Sequence, residues 1–261
     1  MFKYYSKKEE KTIKSFKKNG YIIFKLEDKK KLDKIKNFFV KEILKKNKNN
    51  LTKNCLNNFH NIIQPNNLNS FRMKLYSKFN KPDFKKLYFE LAKNKLELIC
   101  GNELVMQRKI NLSIQMPNDD SSLLPIHSDV WSGCSPYEVV LWVPLVDVDK
   151  TKSMFILPKK INDKYYKNFY KYKNSLKLQK SLDPKIKWLK INYGEGLIFS
   201  HALMHGNKIN KTNETRWSFN CRFKSLMSPY DKKDLAETFM PISIRPITDL
   251  GINYVHPKIE K

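Results

Sequence analysis

The segment LPIHSDVW, residues 124–131, carries a histidine and an aspartate two positions apart, His127 and Asp129. In a β-strand successive side chains point to opposite faces, so residues separated by one position lie on the same face. We therefore expect residues 123–129 to form a strand that presents an imidazole and a carboxylate side by side. Because His-X-Asp alone occurs in many unrelated loops, the pattern gains weight only together with a second segment.

That second segment is GEGLIFSHALMHG, residues 194–206, in which a turn is followed by an apolar strand and then by histidine. Two imidazoles and one carboxylate that leave coordination positions open are the ligand set typical of non-heme Fe(II). The sequence therefore predicts a catalytic metal site made of His127, Asp129 and His205. His201 competes for the third position; the place of His205 at the end of the strand favours His205, and His201 is then a neighbour that packs behind the site.

Polar and apolar side chains alternate along the predicted strand 215–226. Such a strand is expected to line a polar cavity with one face and to pack its other face on helices. A guanidinium on the polar face can hold a carboxylate in a bidentate fork, and a hydroxyl can add a further hydrogen bond. Arg216 and Ser218 are the candidates for these two roles. The polar members of the strand are Arg216, Ser218, Asn220 and Arg222, and the apolar members are Trp217, Phe219, Cys221 and Phe223.

The formal net charge of +26 over 261 residues invites a nucleic-acid-binding interpretation. The lysines are scattered along the whole chain, however, and no zinc-finger, helix-turn-helix or RNA-recognition signature accompanies them. We therefore favour a solvated lysine surface over a nucleic-acid footprint. The charge remains compatible with anionic substrates such as nucleotide-linked or phosphorylated molecules.

The order of predicted helices, strands and turns indicates one domain, residues 1–261, that is mainly β with flanking helices. Residues 1–102 are expected to be a helical buttress with an early strand, residues 103–230 a jelly-roll core with a helical insertion at about 159–187, and residues 231–261 a C-terminal extension. The predicted helices are 5–18, 30–46 and 82–99, and 47–70 is predicted as loop with short helical pieces. The predicted strands are 21–24, 104–116, 123–129, 137–145, 154–157, 188–191, 197–200 and 215–226.

Four cysteines, Cys55, Cys100, Cys134 and Cys221, have no CxxC spacing. They are expected to be reduced thiols in a cytoplasmic protein rather than a disulfide framework or a zinc site. The first residues lack the apolar run of a signal peptide, and no stretch approaches the roughly 20 apolar residues of a membrane-spanning helix. No membrane partner is therefore expected.

The chain resembles the phytanoyl-CoA hydroxylase-like branch of the Fe(II)/2-oxoglutarate-dependent oxygenases. The motifs that carry the resemblance are His-X-Asp, the later glycine with its apolar strand, His-Gly and the following arginine. The segment NGYIIF, residues 19–24, followed by a helix is similar to the opening of that branch, so the resemblance spans most of the chain. Trp131-Ser132-Gly133 and Lys152-Ser153-Met154 resemble members encoded in surface-carbohydrate and aminoglycoside biosynthetic clusters. One departure is Leu157-Pro158-Lys159-Lys160, where the branch often has Pro-Gly-Ser-His.

The resemblance implies a double-stranded β-helix, a cupin-like jelly roll, with Fe(II) on His127, Asp129 and His205. It places Arg216 and Ser218 on the C5 carboxylate of 2-oxoglutarate, and O2 is the second co-substrate. The implied activity is hydroxylation or another oxidation of a sugar-like or nucleotide-linked small molecule in surface-carbohydrate or secondary metabolism. Candidates for contact with this substrate are Gln115, Trp131, Glu138, Asn220 and Arg222.

Several alternatives stay open at this point. Epimerisation, desaturation and ring formation use the same chemistry as hydroxylation and cannot be separated by sequence. A cupin-like metal-dependent isomerase or epimerase without 2-oxoglutarate is a second class, against which the Arg-X-Ser pair speaks. A basic nucleic-acid-binding protein is a third. The carboxylate of Asp129 speaks against halogenation, because halogenating relatives replace it to admit halide. The substrate and the oligomeric state are left open.

Overall fold

The computed structural model describes residues 4–45, 54–121, 123–172 and 175–257. Parts of the predicted loop 47–70, of the insertion 159–187 and of the C-terminal extension, together with the last residue of the predicted helix 30–46, lie outside the described residues. The strands are, in chain order, β1 (Tyr21–Lys25), β2 (Leu104–Gln107), β3 (Asn111–Gln115), β4 (Val139–Pro144), β5 (Phe155–Ile156), β6 (Lys187–Trp188), β7 (Glu195–Ser200), β8 (His205–Gly206), β9 (Arg216–Ser225) and β10 (Phe239–Ser243). The α-helices are α1 (Lys7–Asn19), α2 (Lys29–Leu44), α3 (Pro65–Phe79), α4 (Pro82–Glu90), α5 (Lys93–Cys100), α6 (Lys159–Lys167), α7 (Ser175–Leu182) and α8 (Pro246–Ile252).

The larger of two sheets has seven antiparallel strands in the order β1-β7-β4-β9-β2-β10, and β3 also pairs with β9. Because β9 is ten residues long, its first half pairs with β3 and its second half with β2. The smaller sheet has the order β6-β5-β8. The expected fold class is confirmed: an antiparallel, mainly β architecture with flanking helices, in which the two sheets do not join into a closed barrel within the described residues.

The outer face of the large sheet is covered by helices of the first hundred residues. The rings of Trp217 and Phe219 on β9 lie 5.9 and 5.3 Å from the ring of Phe39 on α2, measured between centroids. Phe39, Trp217 and Phe219 are fully buried. The apolar side of the alternation along β9 therefore forms the contact with the helices, as predicted, and leaves the polar side facing the smaller sheet.

A left-handed glycine joins the first helix directly to the first strand. A capping box between Ser6 and Glu9 starts α1. Gly20 ends it with φ of 76°, a conformation that favours glycine, and donates its N–H to the carbonyl of Phe16. The chain therefore turns immediately into β1, which pairs with β7.

Several predicted elements differ from the structure. The predicted loop 47–70 runs into helix α3, whose buried residues Leu68, Phe71, Leu75 and Phe79 have helical spacing in an asparagine-rich context. The predicted helix 82–99 is two helices, α4 and α5. The predicted strand 104–116 is β2 and β3, separated where Arg108 N–H bonds to Thr238 and Ile110 N–H to the side chain of Asn80.

The prediction of a strand over 123–129 is wrong. His127 makes a single antiparallel bridge to His205, and Asp129 begins a 3-10 helix, Asp129–Ser132. Farther along, residues 231–261 contain β10, which pairs with the edge strand β2 of the large sheet. No helix in the described ranges is long and apolar enough to cross a membrane.

Candidate metal centre

Two histidines face each other across a backbone pair. The N–H of His127 donates to the carbonyl of His205 at 3.0 Å, and the N–H of His205 donates to the carbonyl of His127 at 2.8 Å. This reciprocal bonding is the hydrogen-bonded pair of an antiparallel ladder, which holds opposite residues at a fixed separation. The two imidazole rings consequently lie side by side, with 4.4 Å between their centroids.

The same ring atom of each histidine is engaged by a backbone carbonyl. Nδ1 of His127 lies 2.8 Å from the carbonyl oxygen of Pro125, and Nδ1 of His205 lies 2.9 Å from that of Leu203. Because a carbonyl only accepts, each Nδ1 donates a proton, and in the neutral imidazole the lone pair then lies on Nε2. Burial lowers the pKa of His205 to about 4, so its ring is neutral at neutral pH. Both features prepare Nε2 as a metal ligand.

Asp129 completes the cluster from the first position of its 3-10 helix. Its Oδ2 lies 3.8 Å from Nε2 of His205, and one ligand atom from each of His127, Asp129 and His205 lies within 4.8 Å of the others. Burial alone would raise the pKa of this carboxyl, but His205, His201 and Arg222 outweigh burial and lower the pKa. The site therefore holds an ionised carboxylate beside the neutral imidazole of His205 and the imidazole of His127.

Arg222 and Gln107 hold Asp129 in place. The Nη2 of Arg222 donates to Oδ1 of Asp129 at 3.0 Å, and its Nη1 donates to Oε1 of Gln107 at 3.2 Å. Arg222 had been a candidate for substrate contact, and it does line the cavity described below. Its guanidinium is nevertheless engaged by Asp129, which leaves the other carboxylate oxygen, Oδ2, turned to the histidines.

Replacing Arg222 with leucine is expected to weaken metal binding. Losing a group that orients a ligand costs roughly 10- to 100-fold in metal affinity. Titration of the metal-free protein with Co(II), followed by visible absorbance, measures the change, and Arg222→Lys should recover part of it. Tighter binding in the leucine variant would instead mean that repulsion between the guanidinium and the metal outweighs the loss of orientation.

A cavity of about 560 Å³ opens between the two sheets at this cluster. It is lined by Arg72, Asn111, Leu112, Ser113, Ser121, Leu123, Leu124, His127, Asp129, Ser132, Val140, Trp142, Met154, Phe199, His205, Gly206, Asn207, Arg216, Asn220 and Arg222. The three predicted ligands, together with Arg216, Asn220 and Arg222, thus face one space. Asn220 accepts a hydrogen bond from the side chain of Asn111 at 3.0 Å.

Arg216 is a buried cation that forms no ion pair with any residue the structure describes. Its Nη2 donates to Ser113 Oγ at 2.9 Å and its Nη1 contacts the carbonyl of Ser153 at 3.5 Å, whereas its Nε has no partner. Burial lowers the pKa of Arg216 to about 10. Ser218 Oγ, two residues along the same strand face, is also buried without a partner, although Ser218 does not line the cavity. A carboxylate would satisfy these donors.

Three other candidates lie elsewhere. Gln115 is fully buried and donates to the carbonyl of Lys208 at 2.7 Å. Trp131 is 40% exposed and packs on Phe169 with 5.1 Å between ring centroids. Glu138 is buried, and its Oε1 accepts from the N–H of Ser135 at 2.9 Å. Gln115, Trp131 and Glu138 do not line the cavity that contains the metal cluster.

His201 lies behind Asp129 rather than in the cavity. It is fully buried, with Nε2 3.9 Å from Asp129 Oδ2 and Nδ1 3.2 Å from Glu138 Oε2, the latter without hydrogen-bond alignment. Burial lowers the pKa of His201 to about 3. The structure therefore groups His205, not His201, with His127 around the cavity, and places His201 with Cys134 and Glu138.

Arg72 is the charged residue that sequence reasoning missed. It lies on α3, in a segment that had been predicted as loop up to residue 70, and it lines the cavity. The buried spacing of Phe71 and Leu75 is a signal that could have located the helix. Nothing in the local sequence indicates that Arg72 reaches a cavity built by β-strands far away in the chain.

A glycine allows the two histidine segments to approach closely. A Cβ at Gly206 would lie 2.6 Å from the carbonyl oxygen of Leu124 and 3.1 Å from that of Pro125, which bonds His127 Nδ1. Gly206→Ala is therefore expected to destabilise the protein by about 1–3 kcal/mol and to weaken metal binding. Denaturant unfolding and metal titration test this. Gly251→Ala is the control, because its Cβ would meet nothing within 4 Å, and equal effects of the two changes would contradict the argument.

Similarity to known proteins is found in solved structures only. No family model matches the chain, and no curated protein matches it. Solved structures do match, at low sequence identity. EctD from S. alaskensis with bound Fe has a TM-score of 0.57 at 12% identity, over 91% of this chain and 86% of that chain. The chain has the fold of non-heme iron oxygenases.

Two further structures with this fold extend the comparison. The non-heme alpha ketoglutarate dependent carbocyclase SnoK from nogalamycin biosynthesis has a TM-score of 0.53 at 11% identity, covering 87% of each chain. The non-heme monooxygenase ThoJ in complex with Ni has a TM-score of 0.51 at 14% identity, over 90% of this chain and 84% of that chain. Identities this low show a shared fold, and a shared fold does not by itself establish a shared activity.

Proposed function

We propose that the protein is an Fe(II)- and 2-oxoglutarate-dependent oxygenase that oxidises a small molecule. The observation that carries this proposal is that the ligand atoms of His127, Asp129 and His205 lie within 4.8 Å of one another at the cavity that also exposes Arg216. The iron oxygenase fold supports the same assignment.

The residues present fit a divalent iron ion. Both Nδ1 atoms donate to carbonyls, so both histidines offer Nε2 lone pairs, and Asp129 is ionised. Two nitrogens and one carboxylate oxygen suit Fe(II) and leave coordination positions for other ligands. When bound, the iron together with 2-oxoglutarate and O2 supplies the oxidising power that removes hydrogen from a carbon of the substrate.

The chain's own residues hold the reactants and keep water away. The guanidinium of Arg216, with the unpartnered hydroxyl of Ser218 beside it, would bind the C5 carboxylate of 2-oxoglutarate. Phe199, Val140 and Met154 supply apolar wall around the metal cluster. Such a wall excludes water and fixes the approach of the substrate to the metal, which is how a protein directs this type of chemistry.

We propose a sugar-like or nucleotide-linked substrate. The amides of Asn111 and Asn220 line the cavity, and each has hydrogen-bonding capacity beyond the bond that joins them, which suits hydroxyl groups. The cavity volume of about 560 Å³ lies within the range of small-molecule sites.

Four free cysteines support action in a reducing compartment, as a cytoplasmic enzyme requires.

Anaerobic titration tests the proposal. Metal-free protein receives Fe(II) and then 2-oxoglutarate, while absorbance is followed for the weak visible charge-transfer band of the iron chelate. We expect the band to appear with one equivalent of each component. Iron binding without the band would contradict the role of Arg216 and favour a metal-dependent isomerase, and failure to bind iron would contradict the metal site itself.

A further inference from the structure

Positive charge exceeds negative charge in the cavity. Among the described residues that line it, three carry guanidinium groups, Arg72, Arg216 and Arg222, and Asp129 alone carries a carboxylate. Arg222 donates to that carboxylate. Arg216 is assigned above to the C5 carboxylate of 2-oxoglutarate. Arg72 is left as a cation without an assigned anion.

Arg72 has a weak hydrogen bond on its own helix and no carboxylate partner among the described residues. Its Nη2 donates to Asn69 Oδ1 at 3.3 Å, one turn earlier on the same helix, and its Nε is buried without a partner. It takes part in no ion pair in the described part of the chain. The buried Nε is therefore a donor that an anion in the cavity could satisfy, with the other donors of the guanidinium beside it.

The position of Arg72 is fixed by the helix that carries it. Leu68, Phe71, Leu75 and Phe79 bury one face of α3 in the main core. Phe71 is adjacent to Arg72, and its ring lies 5.1 Å from that of Phe59. The backbone that presents the guanidinium to the cavity is thus anchored, which lowers the entropic cost of binding a ligand there.

Charge balance in the loaded site points to a dianion. A divalent iron, ionised Asp129, dianionic 2-oxoglutarate and three guanidinium groups leave two positive charges without counter-charge. A phosphate monoester carries about that much negative charge at neutral pH. A carboxylate would neutralise half of the excess positive charge, and a neutral sugar would neutralise none of it.

We propose that Arg72 binds an anionic group, a phosphate or a carboxylate, of the primary substrate. This inference rests on the proposed function, because that function gives Arg216 to 2-oxoglutarate and leaves Arg72 for the substrate. It narrows the substrate class to small molecules that carry such a group at one end while the carbon to be oxidised lies near His127, Asp129 and His205. The planar fork of the guanidinium fits either oxyanion with two parallel hydrogen bonds.

Calorimetric titration of small anions tests the inference without a known substrate. Protein loaded with Ni(II) and 2-oxoglutarate is titrated with inorganic phosphate, with acetate and with uncharged glycerol at constant ionic strength. The variants are Arg72→Gln and the control Lys74→Gln, which removes a charge from an exposed position of the same helix. We expect phosphate to bind the wild type and Lys74→Gln equally, and Arg72→Gln at least about tenfold more weakly.

The outcomes separate the two possible sources of the anion. Tighter binding of phosphate than of acetate, both dependent on Arg72, indicates a phosphorylated substrate, and the reverse order indicates a carboxylate. Equal phosphate affinity in Arg72→Gln and wild type, or no anion binding to the wild type, overturns the inference.

Failure of the proposed function gives a different pattern. If phosphate displaces 2-oxoglutarate from the wild type, both share one arginine and the inference is wrong while 2-oxoglutarate binding stands. If 2-oxoglutarate does not bind the nickel-loaded protein at all, the proposed function fails, and the phosphate titration of the Arg72 variants still reports on the anion site.

Discussion

Replacing Asp129 with alanine is expected to lower the affinity for Fe(II) by more than about 100-fold, because direct ligands contribute more than the 10- to 100-fold of the groups that orient them. The carboxylate is the only negative group among the described cavity residues, and His205, His201 and Arg222 lower its pKa. Without it, only the two imidazoles of His127 and His205 remain to hold a dication beside Arg222. The chelate band with 2-oxoglutarate should disappear at iron concentrations that saturate the wild type.

Two further variants separate metal binding from folding. Asp129→Ala also leaves Arg222 without its anion, so thermal unfolding of the metal-free proteins is measured alongside. Asp129→Asn keeps the shape and a hydrogen-bond acceptor for Arg222 but removes the charge, and it should lose iron while staying folded. Asp163→Ala removes a half-exposed carboxylate on α6 and should bind iron as the wild type does. Unchanged iron affinity in Asp129→Asn would show that the metal lies elsewhere.

Replacing Arg216 with methionine is expected to weaken 2-oxoglutarate binding by about 2–5 kcal/mol, the usual effect of removing one partner of a buried, hydrogen-bonded charge pair. Iron affinity should be unchanged, since Arg216 is not among the three clustered ligands. Arg216→Lys should restore part of the affinity, because it keeps the charge and loses the fork. Displacement of 2-oxoglutarate from the nickel-loaded protein, followed by calorimetry, measures all three proteins.

The free energy of unfolding of Arg216→Met provides a second readout. Burial disfavours the charged form of Arg216 in the empty protein and lowers its pKa. An apolar side chain of similar length removes this cost, so the free energy of unfolding without ligand should not fall. Arg108→Met, which removes a guanidinium bonded to the carbonyl of Ala236 near the surface, controls for the loss of charge. A large loss of stability in Arg216→Met alone would assign Arg216 a structural role.

Strand β9 shows what the sequence could predict. Its alternation of polar and apolar residues is a local pattern, and it indicated correctly that the apolar face meets the helices and that Arg216, Asn220 and Arg222 face a polar cavity. Alternation cannot tell whether a polar position is covered by another segment. Gln115 on β3 was a reasonable candidate, but the chain near Lys208 covers it. Which segment covers a residue depends on contacts far apart in sequence.

In the metal cluster the predicted residues do come together, but not by the strand geometry from which they were predicted. His127 and Asp129 were expected to share the face of a strand. The structure instead bonds His127 to the backbone of His205 and then turns the chain into a 3-10 helix that brings Asp129 back to the same point. The bridge involves residues 78 positions apart, and periodicity within eight residues contains no information about it. Arg72 was missed for a related reason, because its helix borders the asparagine-rich segment.

Because a reciprocal backbone pair joins His127 and His205, the spacing of the metal ligands and the identity of the other cavity residues can change independently during evolution. The spacing of the imidazoles is set by main-chain hydrogen bonds, which do not depend on side-chain identity at the other cavity positions. Leu112, Leu123 and Met154 can therefore be exchanged for larger, smaller or more polar residues with little change in the geometry of the metal ligands. Such an arrangement allows descendants of one ancestor to acquire new substrates while the reactive centre stays the same.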